Sequence, residues 1–247
     1  MKSNNLDLLI TEYISKDIEN DDNHFFSSKL VILDTVGCII EASNHEKVVE
    51  FASKNNLNLN FKNPFKNLSL NESYENIAWY LTVLTRWFDY NDTFLAKEWA
   101  HPSDNFGSIY SYFYKNKNYN FYDFTNALTK AYEIQGSLCL GTSLNKLGYD
   151  HVFYVKLASG SVFSYLVNNG DTSAIRRTVN NIFLDGPSLR RIDIFRMLEK
   201  EKVGQLPMPL EEASSLQLLA TTKMKFMNLF RMKISGDLSP VSWIVQK

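Results

Sequence analysis

Apolar residues in this chain recur three and four positions apart over nearly every stretch that Asn or Pro does not interrupt, and strict apolar–polar alternation is scarce. That spacing matches the 3.6-residue turn of an α-helix and conflicts with the two-residue repeat of a strand. Leu6, Leu9, Ile10, Tyr13 and Ile14 predict a first amphipathic helix. A second carries Leu30, Leu33, Val36, Gly37 and Ile40, with Ser27 or Ser28 as its cap, and a third runs over 45–55. An Asn-rich, Pro-broken loop follows at 57–71, and the stripe Tyr74, Ile77, Ala78, Leu81, Leu84 predicts a helix over 73–87. The stretch 88–105 is polar, and further helices are expected at 105–115, 121–147, 151–168 and 172–183. Only FYVKLA at 153–158 resembles a strand. An all-α fold follows.

Composition narrows the class. With 45% hydrophobic and 14% aromatic positions, the chain has the apolar content of a globular protein rather than a disordered one. A net charge of −1 supplies no electrostatic pull towards nucleic acid or an anionic membrane, so neither is expected as a partner. The N-terminus turns acidic within twenty residues and lacks an apolar run with a cleavage site, and no stretch is long enough to span a bilayer. A cytoplasmic location is the expectation. Cys38 and Cys139 sit in apolar segments and read as buried reduced thiols.

A sharp change of composition falls near residue 191. All 13 Tyr lie at or before Tyr165, and 24 of the 25 Asn lie at or before residue 191, with only Asn228 beyond. Of the 6 Met, 5 lie in 192–247. The first 191 residues carry 18 basic and 21 acidic side chains, and the last 56 carry 8 and 6. No Gly/Ser linker or repeat marks the change. Two segments, 1–191 and 192–247, are therefore distinguished.

The densest polar cluster is WFDYNDTFLAKEWAHPSDN at 87–105. Were its first part helical, Asp89, Thr93 and Lys97 would share one face. His101 precedes Pro102 and belongs at a helix exit or on a loop. Carboxylates and a His between aromatic residues suit acid–base chemistry, because a low-dielectric wall moves their pKa values towards neutrality. The bland alternative gives Asp92, Ser103 and Asp104 capping roles and makes Lys97 and Glu98 a solvated face. Asp150-His151 is the second candidate, a capping residue followed by a His whose proton affinity the helix N-terminus lowers. His24 and His45 read as surface residues near helix starts. No metal-ligand spacing and no phosphate-cradling glycine loop is present, and Gly136 to Gly141 reads as close helix packing. Neither a metal nor another cofactor is expected.

At this cluster the sequence resembles the MmgE/PrpD family, in its 2-methylcitrate dehydratase branch. The matching stretches are ILDTVGCIIEA at 32–42, LTRWFDYNDTFLAKEWAHPSDNFG at 84–107, AYEIQGSLCL at 131–140, LGYDHVFYVKLAS at 147–159 and FLDGPSLR at 183–190. The resemblance implies a metal-free hydro-lyase that converts the tricarboxylate 2-methylcitrate to 2-methyl-cis-aconitate in propionate breakdown by the methylcitrate cycle. It implies a large helical domain with a smaller α/β lid, commonly in a homodimer. By position, Asp89, Thr93 and His101 match the family's site motif and His151 a second site histidine. Asp89, His101 and His151 are the expected catalytic residues, with Thr93, Lys97 and Ser103 positioning substrate; acid and base stay unassigned. A hydratase, epimerase or decarboxylase of another small di- or tricarboxylate, or a non-catalytic helical module, remains the alternative.

The resemblance ends after LDGPSLRR, where relatives continue with a segment resembling YRHAPNTGSRKSW and run to greater length. Read one base out of register, with free choice of synonymous codons, the residues from Ile192 onward can spell YRHFPDAGKRKSWATADATRRS. The expectation is that 192–247 is out-of-frame translation and that the chain is a truncated, inactive form lacking the lid.

Overall fold

The computed structural model describes residues 5–18, 22–54, 64–65 and 72–186. The expected loop at 57–71, apart from residues 64 and 65, the side chain of His24 and the whole of 192–247 lie outside the described residues.

Among the described residues the chain forms eight α-helices: α1 (Leu6–Ser15), α2 (Asp22–Ser43), α3 (Glu46–Lys54), α4 (Tyr74–Arg86), α5 (Phe106–Lys115), α6 (Phe121–Gly141), α7 (Val152–Val167) and α8 (Thr172–Asp185). Two 3-10 turns, Pro102–Asn105 and Asn145–Leu147, precede α5 and α7. A two-stranded antiparallel pair, β1 (Phe94–Leu95) and β2 (Trp99–Ala100), joins Phe94 to Ala100 and Leu95 to Trp99. Among the described residues the fold is all-α apart from that hairpin. FYVKLA is helical, inside α7.

Local chemistry sets the helix ends. Ser73 accepts the Asn76 amide at 3.0 Å and starts α4. Asn120 and Asp123 cap α6 reciprocally, at 3.0 and 2.9 Å. Gly186, with φ 73°, closes α8 in a conformation that costs other residues steric energy. Helix α2 begins at Asp22, so Ser27 and Ser28 lie inside it rather than capping it. Ser28 instead meets the Thr129 hydroxyl of α6 at 3.0 Å. Leu9 faces solvent, while Asp7 and Thr11 on the same helix are buried and Asp7 pairs with Arg176 of α8 at 3.0 Å.

The core runs through Ile14, Ile39, Ile77, Leu81, Leu84, Ile109, Leu157, Ile175 and Ile182, all essentially inaccessible. Helix α4 is buried round most of its circumference, with Trp79, Tyr80 and Val83 inside as well as the expected stripe. Its tightest neighbour is α5. A Cβ on Gly107 would lie 2.5 Å from the Ala78 carbonyl oxygen and 2.6 Å from Thr82 Oγ1, so only glycine permits this approach. Gly136 serves a similar end, but against the ring of Phe94 in β1 rather than another helix. Cys38 and Cys139 are free and buried.

Candidate active site

The polar cluster lies where α4 stops, the hairpin turns and α7 begins. Helix α4 ends at Arg86, and Asp89 takes a left-handed backbone conformation with φ 57°. Asp89, Thr93 and Lys97 therefore do not share a helical face: the first lies in a turn and the other two on either side of β1. Capping follows a different pattern from that expected. The Asp92 carboxylate accepts the Ser103 amide at 3.0 Å, so it caps the 3-10 turn from eleven residues upstream. Ser103 and Asp104 place no side-chain cap on α5.

His101 is the centre of the arrangement. Its side chain is buried, and its Nδ1 lies 2.6 Å from the Asp92 carbonyl oxygen. A carbonyl only accepts, so Nδ1 carries the proton and the neutral ring presents Nε2 as an unprotonated base. Nε2 faces Asp89 Oδ1 at 4.0 Å, too far for a direct hydrogen bond. Burial, then the Arg86 guanidinium, lower the His101 pKa below the ordinary value. His151 is buried too, and burial takes it down to about 4. Burial rather than the helix terminus is the main cause. Asp150 caps α7 through the Val152 amide at 2.9 Å. The indole of Trp99 joins the two histidines, its ring centroid 5.4 Å from His101 and 4.0 Å from His151.

Ser103 sits within the same network. Asn91 donates to its hydroxyl at 2.7 Å and accepts from Arg86 at 3.1 Å. Thr93 is exposed beside Asp92. Lys97 reaches the other way, donating to the Gly141 carbonyl at the end of α6 at 3.3 Å. His45 is half-buried, accepts the Lys47 amide at the start of α3 and packs on Trp87 and Phe88.

Three site residues escape sequence reasoning. Arg86, in the last turn of α4, contacts Asp89 at 2.6 Å and lies 3.7 Å from Asp104. The only signal was an Arg three residues before an Asp at a helix end. Asp104 is buried, its Oδ1 lacks a hydrogen-bond partner, and burial raises its pKa to about 7. Glu98, expected on a solvated face, is 1% exposed. It accepts from the Asn145 amide at 2.8 Å, Asn145 Nδ2 at 2.5 Å, Ser143 at 3.1 Å and the Trp99 amide at 3.1 Å. These bonds fasten the hairpin, and with it Trp99, to the turn before His151. Its residue type gave no sign of that, because Ser143 and Asn145 lie more than forty positions away.

Chemically, two neutral imidazoles share the Trp99 ring and an exposed carboxylate stands 4.0 Å from one of them, an arrangement suited to proton transfer. Among the described residues no group of three or more His, Cys, Asp and Glu converges as a metal site, and no helix is long and apolar enough to cross a membrane. A shallow groove of about 450 Å³ lined by α1 and α8 shares none of its residues with this cluster.

Known proteins add to the geometry. Residues 10–220 match the MmgE/PrpD N-terminal domain. The chain is 38% identical over 125 residues to a probable 2-methylcitrate dehydratase of Saccharomyces cerevisiae, covering 46% of this chain and 24% of that protein. It is 30% identical over 176 residues to the mitochondrial 2-methylcitrate dehydratase of Yarrowia lipolytica, covering 66% and 34%. To the 2-methylcitrate dehydratase of Escherichia coli it is 37% identical over 122 residues, covering 46% and 25%. The chain thus spans between about a quarter and a third of the length of these relatives. A match over most of its residues, with named hydro-lyases among its relatives, places this chain in the MmgE/PrpD family.

Proposed function

We propose that the cluster is the proton-transfer half of a 2-methylcitrate dehydratase site, serving propionate breakdown by the methylcitrate cycle. The observation that carries this is the commitment of His101 Nδ1 to the Asp92 carbonyl, which leaves Nε2 as a base facing Asp89. His101 Nε2 takes the proton from the carbon beside a substrate carboxylate. As the C=C bond forms, the C–O bond breaks and the hydroxyl departs as water with a proton returned to it. Asp89 orients the imidazole and stabilises its charged form, while His151 offers a second neutral acceptor. Thr93 and Ser103 position substrate carboxylates through hydrogen bonds, and Lys97 supplies charge only if it leaves the Gly141 carbonyl to which it donates.

The 192–247 segment is proposed to be read out of frame, so that this chain holds the histidine site but turns substrate over far more slowly than its longer relatives. The change of composition near residue 191 supports this reading. The family match continues to residue 220, so DNA sequence across codons 188–214 decides the matter. Absence of the in-register alternative there removes the idea. Purified chain is expected to bind 2-methylcitrate and to show negligible formation of 2-methyl-cis-aconitate. Turnover at a rate comparable with the longer relatives would contradict the out-of-frame reading, and failure to bind would contradict the site.

A further inference from the structure

The polar contacts around His101 run in a loop. Arg86 Nη1 donates to Asn91 Oδ1 at 3.1 Å, and Asn91 Nδ2 donates to the Ser103 hydroxyl at 2.7 Å. The Ser103 amide donates to the Asp92 carboxylate at 3.0 Å, and the Asp92 carbonyl holds His101 Nδ1 at 2.6 Å. From His101 the path returns to Arg86 through Asp89, whose Oδ1 lies 4.0 Å from Nε2 and 2.6 Å from Arg86 Nη2. Every step is within bonding distance except the one between Asp89 and Nε2. The loop is open only at the nitrogen proposed as the base.

A single oxygen atom accounts for that opening. Asp89 Oδ1 faces both a guanidinium and an imidazole, and the shorter distance belongs to the guanidinium. An ionised carboxylate free to approach would favour a proton on Nε2 and bond to it, and an imidazolium is no base. Engaged by Arg86, Asp89 stays near Nε2 without closing on it. Its left-handed backbone, φ 57°, is a conformation that Asp tolerates better than most residues, and its amide donates to the Arg86 carbonyl at 3.2 Å.

Asn91 sets where Arg86 can reach. It is 3% exposed, and both ends of its amide are used, the oxygen by Arg86 and the nitrogen by Ser103. Neither a carboxylate nor an apolar side chain of similar size can both accept and donate in this way. On the other side of the guanidinium, Nε lies 3.7 Å from Asp104 Oδ1, and neither of these buried atoms has a hydrogen-bond partner. Asp89 and Asn91 are therefore the groups that anchor Arg86. We propose that Arg86 and Asn91 are positioning residues for His101, Arg86 holding Asp89 Oδ1 off Nε2 and Asn91 fixing Arg86 to the turn that carries the ring. This deepens the proton-transfer reading and rests on it, and neither residue has to touch substrate.

His101 faces charged and titratable groups from several elements: Arg86 of α4, Asp89 and Asp92 of the turn that follows, and His151 across Trp99. Nitrogen-15 titration of the histidine rings in the purified full chain, without substrate, reads their balance. Arg86→Met should raise the His101 pKa, since Asp89 is then free to approach. Arg86→Lys keeps a cation beside Asp89 and should restore most of the parent value. Asn91→Asp should also raise it, because the new carboxylate competes with Asp89 for Arg86 and cannot donate to Ser103. Asparagine suits the left-handed turn, so the Arg86→Met comparison can be repeated in an Asp89→Asn background, where about half of the rise or more should disappear. A purely structural role would lower the melting temperature and leave the titration in place. Should Arg86→Met fail to fold, Asn91→Asp carries the same comparison. A His101 pKa unmoved by these variants, or raised equally with Asp89 and with asparagine in its place, overturns the proposal. Failure of the parent chain to bind 2-methylcitrate counts instead against the dehydratase reading, because these titrations contain none.

Discussion

Helices α4 and α5 and the segment between them are held by different forces. The helices meet through apolar side chains and one glycine contact, with Ile77, Leu81, Leu84 and Ile109 fully buried. The segment 87–105 buries polar groups instead, among them Asn91, Glu98, His101, Ser103, Asp104 and Asn105. Its backbone is irregular, so its amides and carbonyls find partners in side chains of the same segment, Asp92 for the Ser103 amide and His101 for the Asp92 carbonyl, while Glu98 reaches across to Asn145. Apolar packing tolerates neighbours of similar size, whereas a buried polar network fails when one partner is lost. The proposed chemistry sits in the second region, where side-chain positions are tightly specified.

The largest effect expected from breaking that contrast is at Glu98. Glu98→Ala leaves the Asn145 and Trp99 amides without their acceptor and should cost about 2–4 kcal/mol, read from the urea midpoint. A loss within the range of surface changes would show that the hairpin is held by apolar packing after all. Gly107→Ala tests the helix pair by driving a Cβ into the Ala78 carbonyl, and overpacking of this kind costs about 1–3 kcal/mol. An unchanged midpoint would mean that α4 and α5 separate easily.

The pH dependence sharpens the comparison without removing a contact. His151 is lowered from 6.5 to about 4, so the unfolded chain binds more protons than the folded one in that window. Stability from this group is present above the ordinary value and falls as pH drops from 6.5 towards 4. Asp104 is raised from 3.8 to about 7 and acts in the opposite sense, since its folded form holds the extra proton. Its burial therefore costs increasing stability as pH rises through that range. The two slopes oppose each other between about pH 4 and 6.5, so His151→Asn should tilt stability downward with rising pH and Asp104→Asn should tilt it upward, as measured by thermal melts across pH. Retention of both slopes in the variants would assign them to other groups. The smallest effect is expected at exposed Thr93, where Thr93→Ala should change stability by less than about 0.5 kcal/mol. A larger loss would show that Thr93 belongs to the buried network.

The same contrast explains what was legible beforehand. Periodicity located most helices to within a few residues, because an apolar stripe commonly reports a buried face, but it started α2 too late, since that helix begins at Asp22. It ran α6 past Gly141, where the chain leaves the helix and re-forms a short 3-10 turn at Asn145–Leu147. It also missed β1 and β2, whose two residues each are too short to show alternation. At the site, His101 and His151 stood out by residue type and their aromatic surroundings. Their joint contact with Trp99 did not, since it depends on bringing α7 against the hairpin. Arg86, Glu98 and Asp104 were hidden for a related reason: a charged side chain in sequence looks solvated until its burial and partners are known.

The most direct test is a nitrogen-15 NMR titration of the histidine rings, with His101→Asn for assignment, with and without 2-methylcitrate. The His101 ring should keep its proton on Nδ1 and titrate below the ordinary value of 6.5. Its Nε2 signal should move on addition of 2-methylcitrate, and remain unchanged with chloride at equal ionic strength. A His101 that titrates at or above 6.5, carries its proton on Nε2, or does not respond to 2-methylcitrate would contradict its assignment as the base of this site.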